Sequence, residues 1–343
     1  MSELLVKSES LVAVADSIRA KAGSTEELVF PEGFVEAVEG ISVGEEIDPI
    51  ARIIGEGKLN AVSDNGSYPY APNASMGALP TCFYLFSYCY SLTAAPLFDT
   101  SKVTDMNGMF SHCYSLTNVP LFDTSKVTSM NSMFNCCASL TAVPLFDTSN
   151  VTNMGDMFSS CYSLTNVPLF NTSKVTSMNS MFSNCSSLTA VPLFDTSKAS
   201  YAYGMFSHCT SLTTVPKFDM RNVTNMSNIF SNCSSLTECW LRNIKTNLQV
   251  GAGTTYGHLL TVESLLHLIK ECIDTGSIKI LTIGTANMEK LANTYVKVID
   301  ITDEMRAEDD LIDEKLPFEV CESTDDGAML ITDYVLEKNW QLK

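Results

Sequence analysis

From Phe86 to Leu236 the apolar positions return every 24 residues with no insertion or deletion. Phe86, Phe110, Phe134, Phe158, Phe182, Phe206 and Phe230 form one column, and Cys89, Cys113, Cys137, Cys161, Cys185, Cys209 and Cys233 the next. Leu92, Leu116, Leu140, Leu164, Leu188, Leu212 and Leu236 follow, then Pro96, Pro120, Pro144, Pro168, Pro192 and Pro216. A strict period implies that each unit is one coil of a stack, because an indel would slide every apolar column out of register. In the coil from Ser101 to Thr124, Ser101 is placed to cap a short helix of two to three turns, with Val103, Met106 and Phe110 at i, i+3 and i+7 and Met109 beside them. Cys113, Leu116, Val119 and Leu121 then continue the buried side into a short strand that Pro120 ends near Val119. Parallel strands of successive coils stack at ~4.8 Å, so the phenylalanines are expected in single file. The predicted fold class is α/β: a right-handed solenoid of seven 24-residue coils over residues 78–246.

The flanks lack the period. Ser8 to Gly23 reads as a helix with Leu11, Ala15 and Ile18 as its stripe, and a second runs from Glu32 to Val38. Residues 1–45 are too few for a core of their own and are expected to dock on something larger, while the Gly/Pro/Asn-bearing stretch 46–77 reads as a linker. The register breaks at Gly251-Ala252-Gly253. Beyond it, predicted helices over Val262–Ile273 and Asn287–Tyr295, a strand over Lys279–Ile283 and a helix-strand near Leu330–Leu342 make residues 247–343 an α/β cap for the last coil. The acidic insert Asp300 to Glu314 is expected to be a solvated loop.

A formal net charge of −18 sits almost wholly in the two ends and leaves the repeats nearly neutral. With no Lys/Arg cluster, nucleic acid is an unpromising partner, and an anionic membrane surface would repel the chain. No basic n-region precedes an apolar stretch at Met1, and no run approaches a membrane span, so synthesis in a cytoplasm without a signal peptide and without membrane insertion is expected.

Twelve cysteines invite over-reading. The ladder thiols form a line and not a tetrahedron, have no C-x-x-C pair, and are odd in number, so packing between the walls of each coil is the expected use, with no metal and no cofactor. Ser-Leu-Thr recurs in all seven coils, from 91–93 to 235–237, and points two ranks of hydroxyls outward, suited to satisfying neighbouring backbone or to binding a sugar polymer. Variation is more telling than sameness. One column runs Tyr88, His112, Cys136, Ser160, Asn184, His208, Asn232; its neighbour runs Tyr90, Tyr114, Ala138, Tyr162, Ser186, Thr210, Ser234. Coil 197–220 replaces the inner Val and Met by Ala199 and Ala202 and sets Tyr201 and Tyr203 around them. Tyr90, His112, Tyr114, Tyr162, Asn184, Tyr201, Tyr203 and His208 are therefore the candidate ligand surface, their alternative being drift at solvated positions. The histidines His112, His208, His258 and His267 show no metal or catalytic spacing, and no nucleophile elbow or phosphate loop is present, so catalysis is not expected.

Met109-Phe110, Cys113, Leu116, Val119-Pro120, Phe122-Asp123-Thr124-Ser125, Val127 and Met130 resemble the unit of the BspA-type, or Treponema-type, leucine-rich repeats. Leu5 to Ile41, with Glu9-Ser10-Leu11, Ala15 to Arg19, Phe30-Pro31 and Gly33-Phe34, resembles an N-terminal stretch of phage and prophage tail and fibre proteins. The Leu281 to Gly284 and Asn339-Trp340 neighbourhoods resemble the C-terminal part of such fibres. Together the resemblances imply a virion structural protein, a tail or neck fibre or receptor-binding component. Residues 1–45 would attach it to other virion proteins, with no nucleic-acid partner, and a homo-oligomer would display the repeats to a host cell-surface glycan or protein. The alternative is a bacterial BspA-like surface adhesin.

Overall fold

A computed structural model describes residues 81–95, 97–250 and 260–342, all within one unit of the chain, residues 50–343. The two N-terminal helices, the linker 46–77, Pro96 and the break at Gly251 to Gly253 lie outside the described residues.

The inner columns are where the period places them. Rings of Phe86, Phe110, Phe134, Phe158, Phe182, Phe206 and Phe230 stack in file, with successive centroids 5.3 to 5.9 Å apart and planes within 10°. Parallel bridges join residues 24 apart: Asp105 to Ser129, Ser129 to Asn153, Asn153 to Ser177, Ser177 to Tyr201 and Tyr201 to Asn225.

The helix expected in each coil is absent: residues 101–124 form turns and bridges. Alternate backbone N–H groups leave the coil. Those of Met106, Gly108, Phe110 and His112 donate to the carbonyls of Ser129, Asn131, Met133 and Asn135 of the next coil, at 2.7 to 3.0 Å. The N–H groups between them, of Met109, Ser111 and Cys113, turn back three residues to Met106, Gly108 and Phe110. An α-helix needs every N–H to reach four residues back. The left-handed backbone at Gly108 (φ 61°) and His112 (φ 62°), repeated at both positions of the later coils, rules that out. The i, i+3, i+7 spacing is common to a helix and to this spiral of turns, so Val103, Met106, Met109, Phe110 and Cys113 are all buried as predicted.

The strand is likewise reduced. Near Val119 there is a single bridge, Ala94 to Asn118, and among the described residues of the repeats a parallel strand pair forms only between β1 (Thr214–Val215) and β2 (Glu238–Cys239). Leu121 does not continue the buried side: it is 63% exposed while Phe122 is buried. Adjacent side chains of extended backbone point to opposite faces, and only one of the pair can enter the core. Leu97, Leu145, Leu169 and Leu193 are exposed in the same way, and Phe98, Phe146, Phe170, Phe194 and Phe218 form a second buried column against the first.

Polar positions of the unit secure the turns. The carboxylates of Asp99, Asp123, Asp147 and Asp195 accept from the backbone N–H two residues on, at 2.9 to 3.0 Å. Hydrogen bonds from the Ser101, Ser125 and Ser197 side chains together with their backbone N–H groups, and from the Ser149 backbone together with its side chain, hold the four carboxyls below the usual carboxylate range.

Beyond the repeats ordinary elements return. Strand β3 (Leu248–Gln249), helix α1 (Val262–Lys270), β4 (Lys279–Thr282) and helix α2 (Thr285–Leu291) are followed by β5 (Tyr295–Val298) and helix α3 (Asp303–Glu308). Strand β6 (Phe318–Cys321), β7 (Met329–Leu330), helix α4 (Ile331–Glu337) and β8 (Trp340–Leu342) complete the chain. Strands β3, β4 and β8 form a parallel sheet, and β6, β5 and β7 an antiparallel one. Helix α1 starts where Thr261 Oγ1 accepts from Ser264 N, and it docks on the last coil through Ser264 Oγ, which donates to Cys239 O (3.1 Å). The acidic insert is not simply a solvated loop. It contains α3, and Asp309, one-tenth exposed, pairs with Arg242 (3.1 Å) and with buried Lys315, which also meets Glu271 (3.0 Å). The reason is charge: Arg242 and Lys315 need counter-ions where they are packed.

Candidate functional site

The ladder thiols are spoken for. Sγ of Cys113, Cys137, Cys161, Cys185, Cys209 and Cys233 each donates to a phenylalanine carbonyl one coil back, Phe86 to Phe206 in order, at 2.9 to 3.2 Å. Burial pushes these thiols up, Cys233 to about 12, so they stay protonated and unreactive at neutral pH. Among the described residues no three His, Cys, Asp or Glu side chains converge as metal ligands.

The hydroxyl ranks also have structural work. Oγ1 of Thr117, Thr165, Thr213 and Thr237 donates to the carbonyl of the threonine one coil back, at 2.9 to 3.4 Å. A parallel file formed by Thr128, Thr152 and Thr176 does the same, and inside the coil Thr124, Thr148 and Thr196 reach the carbonyls of Asp147, Asn171 and Asp219.

The variable columns divide into two clusters. At one end, Tyr88 stacks on His112 (centroids 4.6 Å) and Tyr90 on Tyr114 (5.1 Å), with each pair edge-on to the other and His112 Nδ1 3.2 Å from the Tyr114 hydroxyl. Tyr88, Tyr90 and Tyr114 remain more than two-fifths exposed, which makes a four-ring outer platform. Tyr162 is exposed in the same column but separated from Tyr114 by Ala138. Asn184 is half-buried, with Nδ2 on Ser183 Oγ (3.2 Å). It shares its column's left-handed backbone with His112 and His208, so backbone shape accounts for part of the Asn and His usage there.

At the other end, Tyr203 and His208 border a cleft of about 290 Å³ that sequence reasoning missed. Gly204, Asn228 and the serines Ser180, Ser183, Ser207 and Ser231 complete its lining. Asn228 Nδ2 lies 3.5 Å from the Tyr203 hydroxyl, and Asn232 Nδ2 lies 3.1 Å from His208 Nε2. Tyr201 is exposed two residues before Tyr203 but is not part of the lining. Ala199 and Ala202 are buried, so the exchanges that mark this coil lie inside it. The signal for the cleft was Gly204 itself, in a column that reads Tyr84, Gly108, Ser132, Asp156, Ser180, Gly204, Asn228.

Residues 82–189 and, overlapping them, 141–244 match the family described as "Mycoplasma protein of unknown function, DUF285", together just under half of the chain. Among solved structures, the chain is similar to the leucine-rich repeat protein of T. pallidum, with 24% identity and a TM-score of 0.34 over 45% of this chain and 69% of that one. A leucine-rich repeat protein from Bacteroides ovatus gives 19% identity and a TM-score of 0.28 over 50% of this chain and 67% of that one. A leucine rich cell surface protein from Faecalibacterium prausnitzii A2-165 gives 17% and 0.21 over 48% and 64%. No curated protein matches the chain.

Proposed function

We propose that the chain is a non-enzymatic adhesion protein, a right-handed BspA-type solenoid of seven coils whose variable outer columns bind a glycan or protein on a cell surface. The observation that carries this reading is the four-ring platform of Tyr88, Tyr90, His112 and Tyr114, stacked on the outer face of a unit whose inner columns barely change. Aromatic area held rigid and exposed suits recognition and adds nothing to the core. The resemblance of Leu5 to Ile41 to phage fibre attachment segments supports carriage on a virion through residues 1–45, as a homo-oligomer. Copies on one particle would multiply weak single contacts.

The test is fluorescent labelling of bacterial cells by the full chain and by Tyr90→Ala/Tyr114→Ala. Labelling of a defined set of cells, weakened by the double exchange, is expected; equal labelling by both removes the platform from the reading. Mass spectrometry of purified particles tests the virion part, which fails if the chain is found only in cell envelopes.

A further inference from the structure

We propose that the cleft over Gly204 binds a single neutral pyranose ring. The proposal deepens the adhesion reading and rests on it. Its first support is conformational. Tyr84, Ser132, Asp156, Ser180 and Asn228 occupy Gly204's column with φ between 50° and 57°, next to 59° at Gly204. Side chains are thus accommodated in this backbone five times over, and glycine at 204 serves space and not the turn. The chain shows what such space admits. At Gly108, the other glycine of the column, the ring of Tyr84 lies where a side chain would start: a Cβ there would sit 2.3 Å from Tyr84 Cε1. One of the chain's own six-membered rings covers that glycine. At Gly204 the residue one coil back is Ser180, whose Oγ would be 3.5 Å from a Cβ, and the space opens to solvent as the cleft.

The lining then selects the ligand. Four serine hydroxyls, the Asn228 amide and the His208 imidazole offer donors and acceptors, and none of the lining side chains is an acid, a lysine or an arginine. An ionic ligand would lose its hydration with no counter-charge to replace it, whereas a polyhydroxylated neutral ring exchanges water for matched hydrogen bonds. Tyr203, 44% exposed, stands at the rim as a flat wall for the apolar face of such a ring. A volume of about 290 Å³ is at the bottom of the range for small-molecule sites, ~300–1,000 Å³, and suits one ring and not an extended chain.

The full chain is titrated with the methyl glycosides of glucose, galactose, mannose and N-acetylglucosamine, read by saturation-transfer NMR. At least one glycoside is expected to bind. Gly204→Asn, which fills the cleft with the residue the same column holds at 228, is expected to weaken it about tenfold. Tyr203→Ala should do the same, Tyr203→Phe should retain binding, and Ser132→Asn, the matched exchange in a coil outside the cleft, should leave it unchanged. Circular dichroism and melting of each variant verify folding. No transfer from any of the four glycosides, or transfer that survives Gly204→Asn in a folded chain, overturns the proposal. Cell labelling that persists in that case leaves the adhesion reading standing. Glycoside binding without labelling of any cell removes the adhesion reading and leaves the cleft.

Discussion

The repeats and the segment after them solve the same problem of backbone satisfaction in opposite ways. From β3 onward, helices and two three-stranded sheets pair their own N–H and C=O groups within ordinary elements. In the repeats almost no regular element forms, and half of the spiral's donors reach the neighbouring coil. A coil taken alone would leave those donors without partners. Stability in the repeats therefore belongs to the joints between units, whereas beyond residue 260 it belongs to the elements.

That contrast can be broken first with alkali. The buried thiols Cys82, Cys113, Cys137, Cys161, Cys185, Cys209, Cys233 and Cys239 lie in the repeats, against Cys272 alone among the described residues beyond 260. Their folded-state pKa is raised by burial above an ordinary value of 9.0, to about 12 for Cys233 and Cys239. Below pH 9 both states hold the protons; above it the unfolded chain releases them and the folded chain does not, so rising pH favours unfolding. Each thiol then removes on the order of 1.4 kcal/mol per pH unit. Thermal melting followed from pH 7 to 11 should be level to about pH 8, then fall steeply, with the repeats opening before the C-terminal segment in hydrogen exchange. A flat profile to pH 11 would contradict the burial of the ladder.

Core truncation comes next. Phe158 is fully buried and stacks on Phe134 (5.7 Å), Phe182 (5.7 Å) and Phe170 (6.2 Å). Phe158→Ala should cost about 3–5 kcal/mol by chemical denaturation, and exchange protection should fall in the coils on both sides. In the C-terminal segment Lys315→Met should cost about 3 kcal/mol, because Glu271 would be left packed without its cation and Asp309 with Arg242 alone. Its effect on exchange should stay beyond residue 238. Smallest is Thr165→Val, which removes one exposed hydroxyl from the Thr141 carbonyl and should cost about 0.5 kcal/mol or less.

What was legible in the sequence follows from the same contrast. A buried column is readable because each inner position is seen seven times, so Phe134, Cys137 and Leu140 could be placed without knowing the backbone that holds them. The backbone itself was misread, since apolar residues at i, i+3 and i+7 fit a helix and a spiral of turns alike. The distinguishing signal was present: Gly108 with His112, Asp156 with Ser160 and Asn228 with Asn232 put turn-prone residues at every fourth place, where an amphipathic helix has no need of them. Leu121 was misassigned because Leu-Phe is apolar at both places and only the alternation of extended chain decides between them. In the variable columns Tyr90, His112 and Tyr114 were brought together as a cluster, but the cleft was not readable, because its distinguishing residue has no side chain.

One property of the joints reaches beyond this molecule. The backbone bonds that one unit makes with its successor are repeated by the successor with the unit after it, so cutting out or copying a whole unit restores the same backbone pattern at the new joint. Gain or loss of one unit would therefore change the length of the stack in a step of ~5 Å, the spacing of neighbouring strands.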